Sequence, residues 1–460
     1  MNGKQQVNIR LYLINVNTSL RFSITARGCG KAAIESKSNC TMKEMGLFQR
    51  DFAEHYSRQN ALPRARIRVK PFDVETTFAE LSAEKKYHPS KYHGPDSQLH
   101  SAVYPAVCIM KVFGLAPYDF TGDQIVPSNV CLVFSLVFLV LYSYIIYMVF
   151  MKFIVTKREK SIVAAVETAK VIVNYLVAVY ELITTALNRR SFARIWNGLQ
   201  DFDEKLDRLG YPRKEIKTKI CVWALLITQT IAWTLINLSG MYAYSEEWAF
   251  NISYMCIYLG TAISVYKFFG MVTFIGQRFR QLNLMARENL PPKIGYKSST
   301  VSRKTVQDLH SELMVIAETL NSIYWWSLLF WLGNLSVHSV SNLYFIIDWV
   351  MLTPWSTIPW RMLFNMLVWL IVYIAQLLAL HIACDNATTE ANSMGAIITE
   401  WNARVMKKFP HDESVRTSLH FLNRRLRFSA GGLFDVNLPL LCSIIGVQST
   451  YLIILLQFPA

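Results

Sequence analysis

Enzymatic chemistry needs an acid, a base or a nucleophile held against a partner. The 460 residues contain no Gly-x-Ser-x-Gly, no His-Glu-x-x-His, no P-loop and no GxGxxG. His381 and Cys384 lie one helical turn apart, a spacing that suits a shared metal ion. No second pair accompanies them, and the simpler reading is a polar pair near a helix end. No metal, cofactor or enzymatic activity is expected. Glu167 and Lys170, three residues apart, are placed to neutralise each other on one helix face. The richest constellation is uncharged. Asn334, His338, Ser341 and Asn342 share one face at a 3.6-residue period. Trp233, Tyr258 and Trp369 lie deep in apolar segments of their own. Aromatic walls with a few amide, imidazole or hydroxyl groups suit reversible capture of a small organic molecule. The candidate ligand residues are therefore Trp233, Tyr258, His338, Asn342 and Trp369. The bland alternative, polar and aromatic glue between helices, stays open beside it.

The segments that carry these residues are membrane spans. Residues are 52% hydrophobic and only 17% charged, against about 25% charged in an ordinary soluble domain. Mean hydropathy is +0.24. Residues 124–151, 220–245, 248–266, 319–347, 362–384 and 436–460 contain no Asp, Glu, Lys or Arg. About 20 apolar residues in a helix cross a hydrocarbon core of about 30 Å. The expected fold is all-α and integral to the membrane, with seven transmembrane helices near 128–152, 161–187, 219–242, 250–276, 321–348, 359–383 and 438–458. A soluble enzyme, a disordered chain and a small disulfide scaffold are excluded. The second span is the weakest, since it holds Glu167, Lys170 and Glu181. An interfacial pre-helix over 99–116 precedes the first span.

The net charge of +15 is a topological signal rather than a nucleic-acid one, because no arginine tract with interleaved aromatics occurs. With the N-terminus inside, the cytoplasmic segments 1–98, 188–219, 277–321 and 385–437 hold 39 of the 47 Lys and Arg. Lys152, Lys157, Arg158 and Lys160 dissent. The majority places the N-terminus in the cytoplasm and the C-terminus outside, opposite to a G-protein-coupled receptor. The chain divides into a cytoplasmic extension, partly disordered, over 1–98; a pre-helix and six spans with the ligand pocket over 99–383; a cytoplasmic segment over 384–437; and a last helix over 438–460. Asn251-Ile252-Ser253 is a glycosylation acceptor beside the external Glu246–Glu247 turn. On the last helix Gly446, Thr450 and Gln457 form one narrow stripe, which would pack against a neighbouring helix or, repeated around a symmetry axis, line a pore. Periodicity alone also leaves open a non-channel metabotropic receptor or a membrane carrier.

Thr450-Tyr451, five apolar residues, then Gln457-Phe458 resembles the C-terminal signature of insect gustatory receptors. Phe428 to Asn437, Gly114-Leu115-Ala116-Pro117-Tyr118 and Gly276 to Asn283 resemble that family's segments before the last helix, before the first span and after the fourth span. The resemblance covers roughly residues 100–460 and leaves 1–98 outside it. It implies a tastant-gated, non-selective cation channel in the plasma membrane of a chemosensory neuron. It implies assembly as a tetramer, alone or with other gustatory receptor subunits, with mono- and divalent cations permeating. It implies that the last helix lines the pore, with Gln457 and Phe458 at the gate and Thr450, Ile453 and Ile454 along it, and that the cytoplasmic parts of the fourth to seventh helices pack as an anchor. The ligand would be a sugar or a bitter compound. Leu452 stands where receptors of the general sugar group carry Glu, which argues for a branch outside that group.

Overall fold

The computed structural model describes residues 98–121, 124–155, 162–212, 215–245, 247–291, 301–352, 354, 356, 358–405, 421 and 423–457. The expected extension over 1–98 thus lies almost wholly outside the described residues, as does Phe458. The chain runs α1 (Gln98–Val112), β1 (Tyr118–Thr121), β2 (Gln124–Pro127), α2 (Asn129–Val155), α3 (Ile162–Leu187), α4 (Arg189–Arg208), α5 (Ile216–Tyr244), α6 (Trp248–Glu288), α7 (Arg303–Leu352), α8 (Trp360–Val405), β3 (Ser429–Ala430), β4 (Phe434–Asp435) and α9 (Leu438–Gln457). The architecture is helical, with two short antiparallel hairpins, β1–β2 and β3–β4. Helices α2, α3, α5, α6, α7 and α8 are long and apolar enough to cross a membrane. Helix α9 is a seventh apolar helix of 20 residues.

Three helices are far longer than the charge-free stretches predict. α6, α7 and α8 have 41, 50 and 46 residues, hence roughly 60–75 Å each at 1.5 Å per residue. A hydrocarbon core takes up about 30 Å of that. The polar extensions stay helical because they keep a buried stripe. On α8 the sequence Ala387, Ala391, Met394, Ile398 buries one face, against Phe279, Leu282 and Met285 of α6 and Val306, Leu309 and Leu313 of α7. This packed end belongs to the largest buried apolar cluster of the described residues, which also takes in α1, β1, β2 and α4. It also closes over Arg278, whose guanidinium is 1% exposed and pairs with Asp203 of α4. α4 occupies what the charge pattern reads as a loop. It is amphipathic, burying Phe192, Ile195, Trp196, Leu199, Phe202 and Leu206.

The motifs around the spans do mechanical work. Gly114 adopts φ +72°, and a Cβ there would lie 2.9 Å from the Phe138 Cβ, so the chain turns from α1 toward β1 where only glycine fits. The Asn197 amide bridges the β2 backbone, accepting from Ile125 N–H at 2.9 Å and donating to Ile125 C=O at 3.1 Å. Gly431 turns the β3–β4 hairpin at φ +60°, and its N–H donates to the Trp325 carbonyl at 2.7 Å. Asn437 then caps α9 by accepting from Leu440 N–H at 2.9 Å.

Candidate functional site

α7 carries its polar stripe inward. Asn334, His338 and Asn342 are 2%, 1% and 1% exposed. Ser341 departs from the predicted face and returns its hydroxyl to the Val337 carbonyl at 2.7 Å. Facing lipid would leave amides and an imidazole unsolvated, so the stripe turns to the bundle interior. There α5, α6 and α8 bring their rings to it. Tyr258 meets His338 edge-on at 5.5 Å. Trp369 lies 5.1 Å from Tyr258 and 5.6 Å from Trp233, both edge-to-face. Tyr373, which the sequence reading missed, stacks on His338 at 4.7 Å and on Trp369 at 5.4 Å. Its signal was its place one turn after Trp369. Tyr254 joins through a 2.9 Å contact between its hydroxyl and that of Tyr258. Four of the five candidate residues thus share one cluster.

The fifth, Asn342, is tied to a charge pair. Lys170 Nζ donates to Asn342 Oδ1 at 2.9 Å and to Glu167 Oε1 at 2.8 Å. The Lys170 side chain is only 5% exposed, and one carboxylate and one amide oxygen offset the cost of burying it. Below it Asn334 donates to Asn174 Oδ1 at 3.1 Å. Neither nitrogen of His338 completes a hydrogen bond, and the same holds for Ser339 Oγ, Asn334 Oδ1 and Asn174 Nδ2. Leaving a buried polar group unsatisfied costs about 1–3 kcal/mol. A cluster of π faces ringed by such donors and acceptors has the chemistry to hold a flat or hydroxyl-rich molecule reversibly. Among the described residues no group of His, Cys, Asp and Glu is arranged to hold a metal ion. His381 Nδ1 lies 2.7 Å from the Leu377 carbonyl of its own helix.

A separate cavity of about 540 Å³ opens between α1, α5 and α6. Of the five candidate residues only Trp233 lines it. The Trp233 indole donates to Gln229 Oε1 at 3.2 Å, and Gln229 Nε2 donates to the Tyr266 hydroxyl at 2.8 Å.

At the other end of the chain, Leu440, Leu441 and Ile444 of α9 pack onto the main core. Thr450, Ile453, Ile454 and Gln457 are exposed, and Thr450 returns its hydroxyl to the Gly446 carbonyl at 3.0 Å. The glycosylation reading of Asn251 meets a physical obstacle. Asn251 lies within α6 at 7% exposure, and its Nδ2 donates to Asn237 O and Oδ1 at 3.0 and 2.6 Å. The nitrogen a glycan would need is committed to the α5–α6 contact.

The sequence profile of the family described as 7tm chemosensory receptor matches residues 103–459. "Putative gustatory receptor 2a" of Drosophila melanogaster is 27% identical over 172 residues, 33% of this chain and 40% of that protein. "Gustatory receptor for sugar taste 43a" of the same species is 26% identical over 171 residues, 37% of this chain and 39% of that protein. The chain therefore spans about two-fifths of the length of these relatives. Among solved structures, the insect olfactory receptor OR5 from Machilis hrabei superposes with a TM-score of 0.59 at 15% identity, covering 78% of this chain and 98% of that one. The same receptor in complex with eugenol gives 0.55 at 14% identity, with the same coverage. At such identities the likeness is one of fold.

Proposed function

Because the chain belongs to the 7tm chemosensory receptor family and is a multi-pass membrane protein, we propose that it is a gustatory receptor acting as a tastant-gated cation channel of the plasma membrane. The observation that carries the reading is the cluster of Trp233, Tyr258, His338, Trp369 and Tyr373, which packs where four helices meet, all but Trp369 buried, and is edged by unsatisfied polar atoms. A tastant entering from outside stacks on these rings and completes hydrogen bonds with His338 and the amides beside it. α9 supplies the conducting surface. Its C-terminal half presents Tyr451, Ile453 and Ile454 outward at 60%, 59% and 43% exposure. So much apolar area on a helix end calls for a covering partner, and four copies around an axis provide one while Thr450 and Gln457 meet the ions. With the N-terminus inside, the long ends of α6, α7 and α8 form a cytoplasmic anchor that fixes the base of α9, so ligand-driven rearrangement of the outer bundle moves its free end.

A relative named for sugar taste keeps sugars in the first test despite Leu452. The test is whole-cell current from a heterologous cell expressing this chain alone, perfused with sugars and then bitter compounds. A ligand-evoked cation current that His338→Ala abolishes at unchanged surface expression is the expected result. A response that requires a G protein and carries no current of its own would overturn the channel reading in favour of a metabotropic receptor.

A further inference from the structure

The cavity between α1, α5 and α6 shares Trp233 with the ring cluster, while Tyr258, His338, Trp369 and Tyr373 do not line it. Its lining on α5 runs from Val222 to Leu238, about 24 Å along the axis at 1.5 Å per residue. That is most of the roughly 30 Å of a hydrocarbon core. Spread over that length, 540 Å³ leaves a mean section of about 20 Å², a channel about one chain wide. The walls are overwhelmingly aliphatic and aromatic. Gln229, Thr230, Asn237 and Lys267 of this lining each have a partner in the protein. Gln229 joins Trp233 to Tyr266. The Lys267 ammonium donates to the Leu115 carbonyl at 2.9 Å and sits 4.4 Å over the Phe192 ring. Such a lining offers water little and a hydrocarbon much. Beside it α5 presents Ile227 and Ile231, each more than half exposed, on an apolar flank.

Gly270 supplies a second, independent observation. Glycine in a helix costs about 1 kcal/mol relative to alanine, and close packing commonly justifies it. On the same α6, a Cβ at Gly260 would lie 2.5 Å from the Tyr142 hydroxyl and one at Gly276 would lie 3.2 Å from Ala387. A Cβ at Gly270 would meet no atom of the described residues within 4 Å, although Gly270 lines the cavity. Packing against the protein therefore does not account for the residue, whereas keeping the channel wide enough does.

We propose that this cavity is an intramembrane binding site for one linear acyl chain of a bilayer lipid, lying along α5 and backing Trp233. The test uses the full-length protein in nanodiscs containing a phosphatidylcholine with a diazirine on its acyl tail. After photolysis, labelled positions are mapped by mass spectrometry. Labelling is expected to concentrate on Met110, Thr234 and Met255 over Val133 and Val140 of α2, which are 60% and 70% exposed. Gly270→Leu and, independently, Thr234→Leu fill the channel and should each lower cavity labelling several-fold. Gly333→Leu, on an exposed face of α7, should leave it unchanged. Each variant is scored only if it elutes like the parent on gel filtration. Labelling spread evenly over all lipid-exposed helices would overturn the proposal. So would cavity labelling indifferent to both filling variants, or labelling by a free diazirine fatty acid but not by the phospholipid.

Discussion

The His338 imidazole lies nearly parallel to the Tyr373 ring, 4.7 Å between centroids and 27° between planes, and neither of its nitrogens completes a hydrogen bond. The stack fixes the ring, while its polar edge is left for another molecule. His338→Phe preserves the stack and removes both nitrogens. It should leave thermal stability equal or slightly raised, because an unsatisfied buried group is gone. The half-maximal ligand concentration should rise about 3–10-fold, the worth of one hydrogen bond. A dose–response curve checks this, and an unshifted curve would remove His338 from the pocket.

Lys170→Met strands the Glu167 carboxylate and the Asn342 carbonyl, both partners of one buried ammonium. Breaking a buried pair from one side costs about 3–5 kcal/mol. Pairing it with Glu167→Leu should recover most of the loss. Thermal unfolding of the detergent-solubilised protein reads the double-mutant cycle, and additive losses would show that the two groups are not coupled.

Gly114 and Gly210 both hold positive φ, +72° and +85°, but only a Cβ at Gly114 meets a neighbour, Phe138. Gly210→Ala should cost about 1 kcal/mol for its backbone alone. Gly114→Ala should cost about 2–3 kcal/mol, since a backbone-attached Cβ has no rotamer by which to escape. Equal melting temperatures for the two variants would contradict the close approach of α1's end to α2.

At the foot of α2 a hydrogen bond from the Lys111 ammonium, joined by one from Ser128, holds the Asp119 carboxyl below the usual carboxylate range. A lowered folded value means the pair stabilises above the unfolded carboxyl value, about pH 3.9, and fades as pH falls through the folded one. The Asp119 side chain is 50% exposed, so the contribution is under about 1 kcal/mol. Asp119→Asn should lower the melting temperature slightly at pH 7 and converge with the parent in acid. A gap that widens in acid would mean that the pair does not stabilise the ionised carboxylate.

Gln457 is exposed near the end of α9. If α9 lines the pore, Gln457→Ala should change single-channel conductance without changing surface expression or ligand sensitivity. Wild-type conductance would exclude Gln457 from the ion path.

Much of this protein is local in origin. Charge-free runs long enough to cross a bilayer dictate the spans, because a backbone in hydrocarbon must satisfy its own hydrogen bonds. The 3.6-residue period likewise places Asn334, His338 and Asn342 on one face, and the structure keeps them there. The glycines at 114 and 431 mark turns that only their own φ permits. Other features had no local signal. The helices α6, α7 and α8 run on past their apolar runs because each extension finds partners on the other two, which is a property of packing. Nothing in the spacing of Trp369 says that its neighbours are Trp233 and Tyr258, or that Lys170 would find Asn342 172 residues away. Periodicity tells a side chain which face of its own helix it occupies. Only the assembled bundle decides what stands opposite, and so whether an aromatic or an amide becomes glue, pocket wall or channel lining.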